Sequence, residues 1–191
     1  TLGYMGTTTH AADLAMIIEP LRRVMMRFGE KVRFEIIGVR QDNRELQAWL
    51  GPHVRVLDPG EAVHYERFAA WFARTARWDI GLAPLTDRPF NRFKSDIKLL
   101  DYGILGIPGV FSRIGPYAES VTHEHTGLLV DNTPQDWYAA LSRLVGDVAL
   151  RQRLSAGVAD YVHSQRTLRT RAIDWYSAID DLHRCALSVR G

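Results

Sequence analysis

Residues 79–112 read DIGLAPLTDRPFNRFKSDIKLLDYGILGIPGVFS, and this stretch decides the fold. Asp79–Pro84 is a short apolar run. A basic loop follows with Arg88, Arg92 and Lys94, then a helical segment over Ser95–Leu105, then a second apolar run at Ile107–Ser112. A strand, a helix and a strand in this order imply a right-handed crossover and a parallel pair. Apolar residues on both faces of the strands (Ile80 and Leu82; Phe34, Ile36 and Ile37) suit a sheet covered by helices on both sides.

The same alternation runs outward in both directions. Leu2–Met5, Val32–Ile37, Val54–Leu57 and Gly127–Val130 read as further strands. Thr9–Phe28 carries Leu14, Ile17, Ile18, Leu21, Val24, Met25 and Phe28 at helical spacing. Asn43–Leu50, Glu61–Ala76 and Gly115–Val121 read as helices. Everything from Pro134 to about Leu187 does too, with breaks near Gly146–Asp147 and Ser164. The expectation is an α/β fold: a Rossmann-like, doubly wound, six-stranded parallel sheet with C-terminal helices, one domain over residues 1–191.

Composition narrows the function. With 191 residues, 46% of them hydrophobic and 24% charged, the chain can bury a substantial core and is not a disordered polymer. A net charge of +2 is small for a protein that grips a nucleic-acid backbone, so no nucleic-acid partner is expected. The single Cys185 excludes an internal disulfide framework and a cysteine zinc cluster, and reads as an inert side chain. The apolar run Ile104–Phe111 falls far short of the roughly 20 residues of a membrane helix. The opening Thr1-Leu-Gly-Tyr-Met lies inside a strand pattern with neither an initiator Met nor a signal peptide, so the chain reads as the second half of something longer.

In such a sheet, ligands lie beyond the carboxyl ends of the strands. Four segments should line that crevice: Gly6–His10, Gly38–Asn43, Leu85–Lys98 and Ser112–Glu119. In the first, Thr9 is a plausible N-cap and the glycine turn a natural anion site, but no dinucleotide or P-loop fingerprint is present. In the third, Ser95 reads as the N-cap of the next helix. The free NH groups there, with Lys94 and Lys98 four residues apart, favour a diphosphate; the alternative is a solvated loop with a charged cap. Asp101, one turn past Lys98, either pairs with a lysine or accepts hydrogen bonds from sugar hydroxyls. Gly103 and Gly106 allow close packing against the sheet or a ligand. Glu119 alone reads as a solvated carboxylate. The seven histidines are scattered, no Asp-x-Asp pair occurs, and no Gly-x-Ser-x-Gly elbow occurs. Neither a metal site nor hydrolase chemistry is expected.

Several of these segments together resemble one family. Asp79-Ile-Gly-Leu-Ala-Pro-Leu, Lys94-Ser-Asp-Ile-Lys-Leu-Leu-Asp-Tyr-Gly-Ile-Leu-Gly-Ile-Pro-Gly-Val, Gly115-Pro-Tyr-Ala-Glu-Ser-Val and Thr126-Gly-Leu-Leu-Val resemble the C-terminal, nucleotide-sugar-binding domain of GT-B-fold group 1 glycosyltransferases. Tyr4-Met-Gly and Phe34-Glu-Ile-Ile-Gly fit the same family's first two strands. The resemblance implies transfer of a glycosyl group from a nucleoside-diphosphate sugar to an acceptor such as a bacterial surface glycan. It implies retention of anomeric configuration, with no metal and no cofactor. A glycan or lipid-linked acceptor would be held by a separate N-terminal domain, in an enzyme that is cytoplasmic or peripheral at the inner membrane.

The resemblance also assigns roles. Asp101 falls on the second position of the family's Glu-x7-Glu motif and would hold the ribose, while Phe93 stands at the first. The family's Arg and Lys after the first strand are replaced by Gly6-Thr-Thr-Thr-His, so His10, Arg92, Lys94 or Lys98 would supply the counter-charge. Lys98, Lys94 and His10 are the catalytic candidates. Thr8, Thr9, Ser95, Asp96 and Ile97 would hold the diphosphate, Gly38, Arg40 and Leu57 the base, and Glu119 follows the turn after the fifth strand. Phe93 and the Thr-rich loop leave open a non-catalytic nucleotide-sugar-binding or assembly module. A GT-B-fold sugar-nucleotide epimerase is a third possibility, poorly supplied with carboxylates and histidines.

Overall fold

The computed structural model describes residues 1–38, 48–62 and 64–188. Six strands form one sheet: β1 (Leu2–Met5), β2 (Phe34–Ile37), β3 (Val54–Leu57), β4 (Ile80–Ala83), β5 (Gly109–Ser112) and β6 (Leu128–Val130). Their spatial order is β3-β2-β1-β4-β5-β6, and every neighbouring pair is parallel. The chain builds outward from β1 to β3, then crosses back to lay β4 on the other side of β1. The doubly wound, Rossmann-like sheet read from the sequence is the sheet observed. Its switch point lies between β1 and β4, where Leu2, Gly3 and Tyr4 pair with Ile80, Gly81 and Leu82.

Two apolar layers cover the sheet. On one face, α1 (Ala11–Phe28) packs against α6 (Pro134–Gly146), burying Leu14, Ile17, Leu21 and Val24 with Trp137, Leu141 and Leu144. On the other, α2 (Tyr65–Thr75), α4 (Ile97–Ile104) and α7 (Val148–Gln165) surround a run of touching rings: Phe68, Phe72, Trp78, Tyr102, Phe111 and Tyr117. Gly81 makes the close approach possible, since a Cβ there would lie 2.6 Å from the Tyr102 ring. Gly103, expected to face the sheet or a ligand, instead faces α7: a Cβ there would lie 2.4 Å from Val162.

Two short helices complete the fold, α3 (Pro89–Arg92) inside the loop after β4 and α5 (Pro116–Ser120) after β5. The final helix, α8 (Leu168–Ser188), begins just past the expected break. Its main neighbour is α7, and Trp175, Tyr176 and Ile179 are exposed on it. No helix among the described residues is long and apolar enough to cross a membrane.

Candidate nucleotide-sugar site

At the carboxyl end of β1, the Gly6 NH donates to Ile37 O at 3.0 Å. Gly38 adopts φ +80 there, and a Cβ on it would lie 2.6 Å from Gly6 O. A single 3-10 turn over Thr8–His10 then leads into α1. His10, not Thr9, is the N-cap residue, and it makes no side-chain cap; the Thr9 hydroxyl pairs with that of Thr7 at 2.8 Å. The His10 Nδ1 lies 2.8 Å from Asp13 Oδ2 and 3.5 Å from Lys94 Nζ.

Asp13 joins the two halves of the sheet at this point. It is 2% exposed, and its Oδ1 accepts from both the NH and the hydroxyl of Thr86, at 2.7 and 2.8 Å. Asn91 in turn donates to Thr86 O at 2.8 Å. Burial works to raise the Asp13 carboxyl, but the hydrogen bonds from His10 and Thr86 prevail and lower it to about 2. It is therefore a fixed anion that orients the imidazole.

From β4 the chain passes through α3 and reaches α4, whose N-cap is Asp96 rather than Ser95. Among the described residues, the NH groups of Ser95, Asp96, Ile97 and Lys98 have no hydrogen-bond acceptor. Lys98 is 7% exposed, with its ammonium 5.1 Å from the centre of the Tyr4 ring. Burial lowers its pKa from 10.5 to about 8. Asp13 pulls against it, Lys94 pushes the same way as burial, and Asp101 opposes both. The corner is open: a cavity of about 170 Å³ is lined by His10, Leu85, Lys94, Ser95, Lys98 and others. A second, of about 490 Å³, adjoins it across His10 and Lys94 and reaches Thr9, Asp13, Arg88 and Phe90. A separate hollow of about 260 Å³ beside Arg113, His123 and Arg143 lies at the β6 edge, away from the switch point.

A glycine-turn helix start, two ammonium groups and open amides at a Rossmann switch point describe an anion site. Comparison with known proteins says which kind of protein carries it. The model of the family "Glycosyl transferases group 1" matches residues 1–147. This chain belongs to the group 1 glycosyl transferases. A D-inositol 3-phosphate glycosyltransferase from a Nocardioides species is 32% identical over 111 residues, 58% of this chain and 22% of that enzyme. Among solved structures, the C-terminal domain of a group 1 glycosyl transferase from Francisella tularensis superposes with a TM-score of 0.64 at 16% identity, covering 87% of this chain and 86% of that one. Anabaena HepE in complex with UDP gives a TM-score of 0.70 at 14% identity, over 94% of this chain and 48% of that one. The chain thus spans about a fifth of its curated relative and about half of HepE.

Within this group 1 glycosyl transferase chain, His10, Lys94, Ser95, Ile97 and Lys98 share one cavity, and Thr9 borders the next. Thr8 lies in the turn between them. Four further candidates have contacts of their own. The Asp96 NH, the group expected to meet the diphosphate, has no acceptor among the described residues, while the Asp96 carboxylate is held by Arg166. Arg92 is no free counter-charge, because Asp87 binds its guanidinium with two hydrogen bonds at 2.8 and 2.9 Å. The Leu57 side chain is core, packed with Ile37 and Phe72, so only its backbone could meet a base. Asp101 has no lysine in hydrogen-bond contact among the described residues, and Tyr65 donates its hydroxyl to it at 2.6 Å. Burial raises the Asp101 carboxyl, opposed by Tyr65 and Lys98. Gly38 ends β2 as expected, Glu119 is exposed on α5, and Arg40 lies outside the described residues. Asp13 and Tyr65 went unread. Asp13 had a signal, its i, i+3 spacing from His10 at the start of a helix that follows a strand.

Proposed function

We propose that residues 1–191 form the nucleoside-diphosphate-sugar-binding domain of a glycosyltransferase whose acceptor is held by a separate N-terminal domain. The start of α4 carries this reading. Four successive NH groups there lack acceptors, and the buried Lys98 ammonium has no carboxylate in hydrogen-bond contact among the described residues. A shielded cation facing only the Tyr4 ring carries a desolvation cost, and a bound diphosphate would relieve it.

In the transfer, the bond from the sugar's anomeric carbon to the diphosphate oxygen breaks and negative charge grows on the leaving group. Lys98, Lys94 and the NH groups from Ser95 to Lys98 would hold that charge, and one such preorganised donor is commonly worth about 3 kcal/mol of barrier. His10, fixed by Asp13, would close the other side together with Thr8 and Thr9. Asp101 would take the ribose hydroxyls once the Tyr65 hydroxyl gives way, with the base against the backbone at Gly38 and Leu57. The acceptor's proton would pass to the departing phosphate. Charge neutralisation by these groups would stand in for a divalent metal. Retention of configuration, a glycan or lipid-linked acceptor, and a cytoplasmic enzyme peripheral to the inner membrane belong to the proposal on the family resemblance alone.

The test is calorimetry of the chain with UDP, GDP and ADP and with inorganic pyrophosphate. UDP comes first, because HepE was crystallised with it. Saturable one-to-one binding of one nucleotide, tighter than of pyrophosphate, is expected. No binding of any of them sinks the reading. A second reading, a binding or assembly module without chemistry, draws on Phe93, which is 90% exposed where the family pattern has a glutamate. Full-length protein that binds labelled sugar nucleotides but never releases the nucleoside diphosphate in the presence of acceptor would favour it.

A further inference from the structure

Asp96 is the residue best placed to close the start of α4. An aspartate at an N-cap ordinarily turns its carboxylate back onto the second or third helical NH, here Lys98 or Leu99. The Leu99 NH is already taken by Asp96 O at 2.8 Å, which leaves that of Lys98. Yet the Asp96 side chain makes no cap. Its two oxygens instead accept from the Arg166 guanidinium at 2.7 and 3.0 Å, and Arg166 also donates to the Tyr161 hydroxyl at 2.8 Å. The Asp96 side chain is 12% exposed and that of Arg166 24%, so this two-pronged contact is far better shielded than a surface ion pair. Arg166 sits 70 residues downstream, in the joint between α7 and α8.

We propose that Arg166 is a positioning residue for the anion site: by holding the Asp96 carboxylate aside, it keeps the start of α4 open and cancels the negative charge nearest to it. The inference rests on the nucleoside-diphosphate reading. Without Arg166, the Asp96 carboxylate is free to take the Lys98 NH, and an anion at a helix start gains from the helix dipole as well. It would then compete with phosphate oxygens for the same donor and repel them. Arg166 lines neither cavity, so its effect on ligand runs through Asp96.

UDP and inorganic pyrophosphate titrations, with melting temperatures alongside, test this on the wild type, Arg166→Ala, Asp96→Ala and the double variant. Arg166→Ala should weaken both ligands about tenfold, the scale of a cap contact plus its charge. The double variant should return to within about twofold of wild type while keeping the lowered melting temperature, because the competing carboxylate is gone. A purely structural bridge predicts the reverse: a double variant that binds as poorly as Arg166→Ala. That outcome overturns the inference, as does unchanged binding by Arg166→Ala. Arg166→Gln, which fills similar space without the charge, carries the same expectations if the alanine variant does not fold. Wild type that binds neither probe overturns the diphosphate reading itself, a result the variants cannot mimic.

Discussion

Helices α4 and α7 both start at an aspartate, and the two residues behave in opposite ways. Asp147 accepts from the Leu150 NH at 2.8 Å and seals the start of α7. Thr133 does the same for α6, accepting from the Asp136 NH at 3.1 Å. Asp96 makes no such bond and is drawn off by Arg166. At α6 and α7, then, a first-turn donor is satisfied by a side chain, whereas α2 is another start without a side-chain cap. At α4 the first donors have no acceptor among the described residues, and Lys98 is buried beside them. What marks the α4 start is the buried lysine beside its open donors, not the missing cap alone.

The largest effect should come from removing the buried cation. Lys98→Ala is expected to weaken nucleoside-diphosphate binding roughly a hundredfold, about 2–3 kcal/mol for a charge-assisted contact in a shielded site. Its melting temperature should fall little, since the variant also removes a shielded charge with no carboxylate in hydrogen-bond contact among the described residues. Calorimetry and thermal unfolding of the same sample read the two effects apart. A fall in stability that matches the loss of affinity would make α4 no different from α7.

The same lysine sets a pH dependence whose sign is fixed. Its pKa in the folded chain is lowered to about 8, against 10.5 when exposed. Between those values the unfolded chain binds more protons, so stability rises with pH across the window and the full penalty applies below it. Burial raises the Tyr4, Tyr102 and Tyr117 hydroxyls, so above pH 10 the unfolded chain loses protons that the folded one keeps, and stability falls again. The unfolding free energy from urea titrations should therefore climb from pH 8 to 10 by about 2 kcal/mol, at roughly 1.4 kcal/mol per unit. The climb should vanish in Lys98→Met. A flat profile in the wild type would mean the ammonium is already solvated, and the contrast between the two helix starts would lose its electrostatic half.

What the chain discloses in one dimension follows the range of its interactions. The strands were legible because neighbours such as Ile36 and Ile37, or Leu82 and Ala83, put apolar side chains on both faces, as a sheet covered on both sides requires. Lys94, Ser95, Ile97 and Lys98 were legible as a group because four neighbours cannot be far apart in space. The caps were misplaced by one residue, since the Thr9 hydroxyl has Thr7 to bond and the Asp96 carboxylate has Arg166. The four-residue α3 gave no periodicity to read. The links that finish the site run from Asp13 to Thr86, from Tyr65 to Asp101 and from Asp96 to Arg166. They span 73, 36 and 70 residues, and no local spacing encodes them.

The smallest expected effect tests the other side of the comparison. Asp147→Ala removes the α7 cap and should cost about 1 kcal/mol of stability, the usual value for an aspartate N-cap. Urea unfolding at a fixed pH measures it. Nucleoside-diphosphate affinity should stay within about twofold, because α7 meets α4 through Val158 and Val162 against Gly103, well beyond its first turn. A variant that loses affinity in step with stability would show that the α7 start feeds into the switch point after all. The distinction between sealed and open helix starts would then be one of degree, with the whole α4–α7 pair acting as a single support for the site.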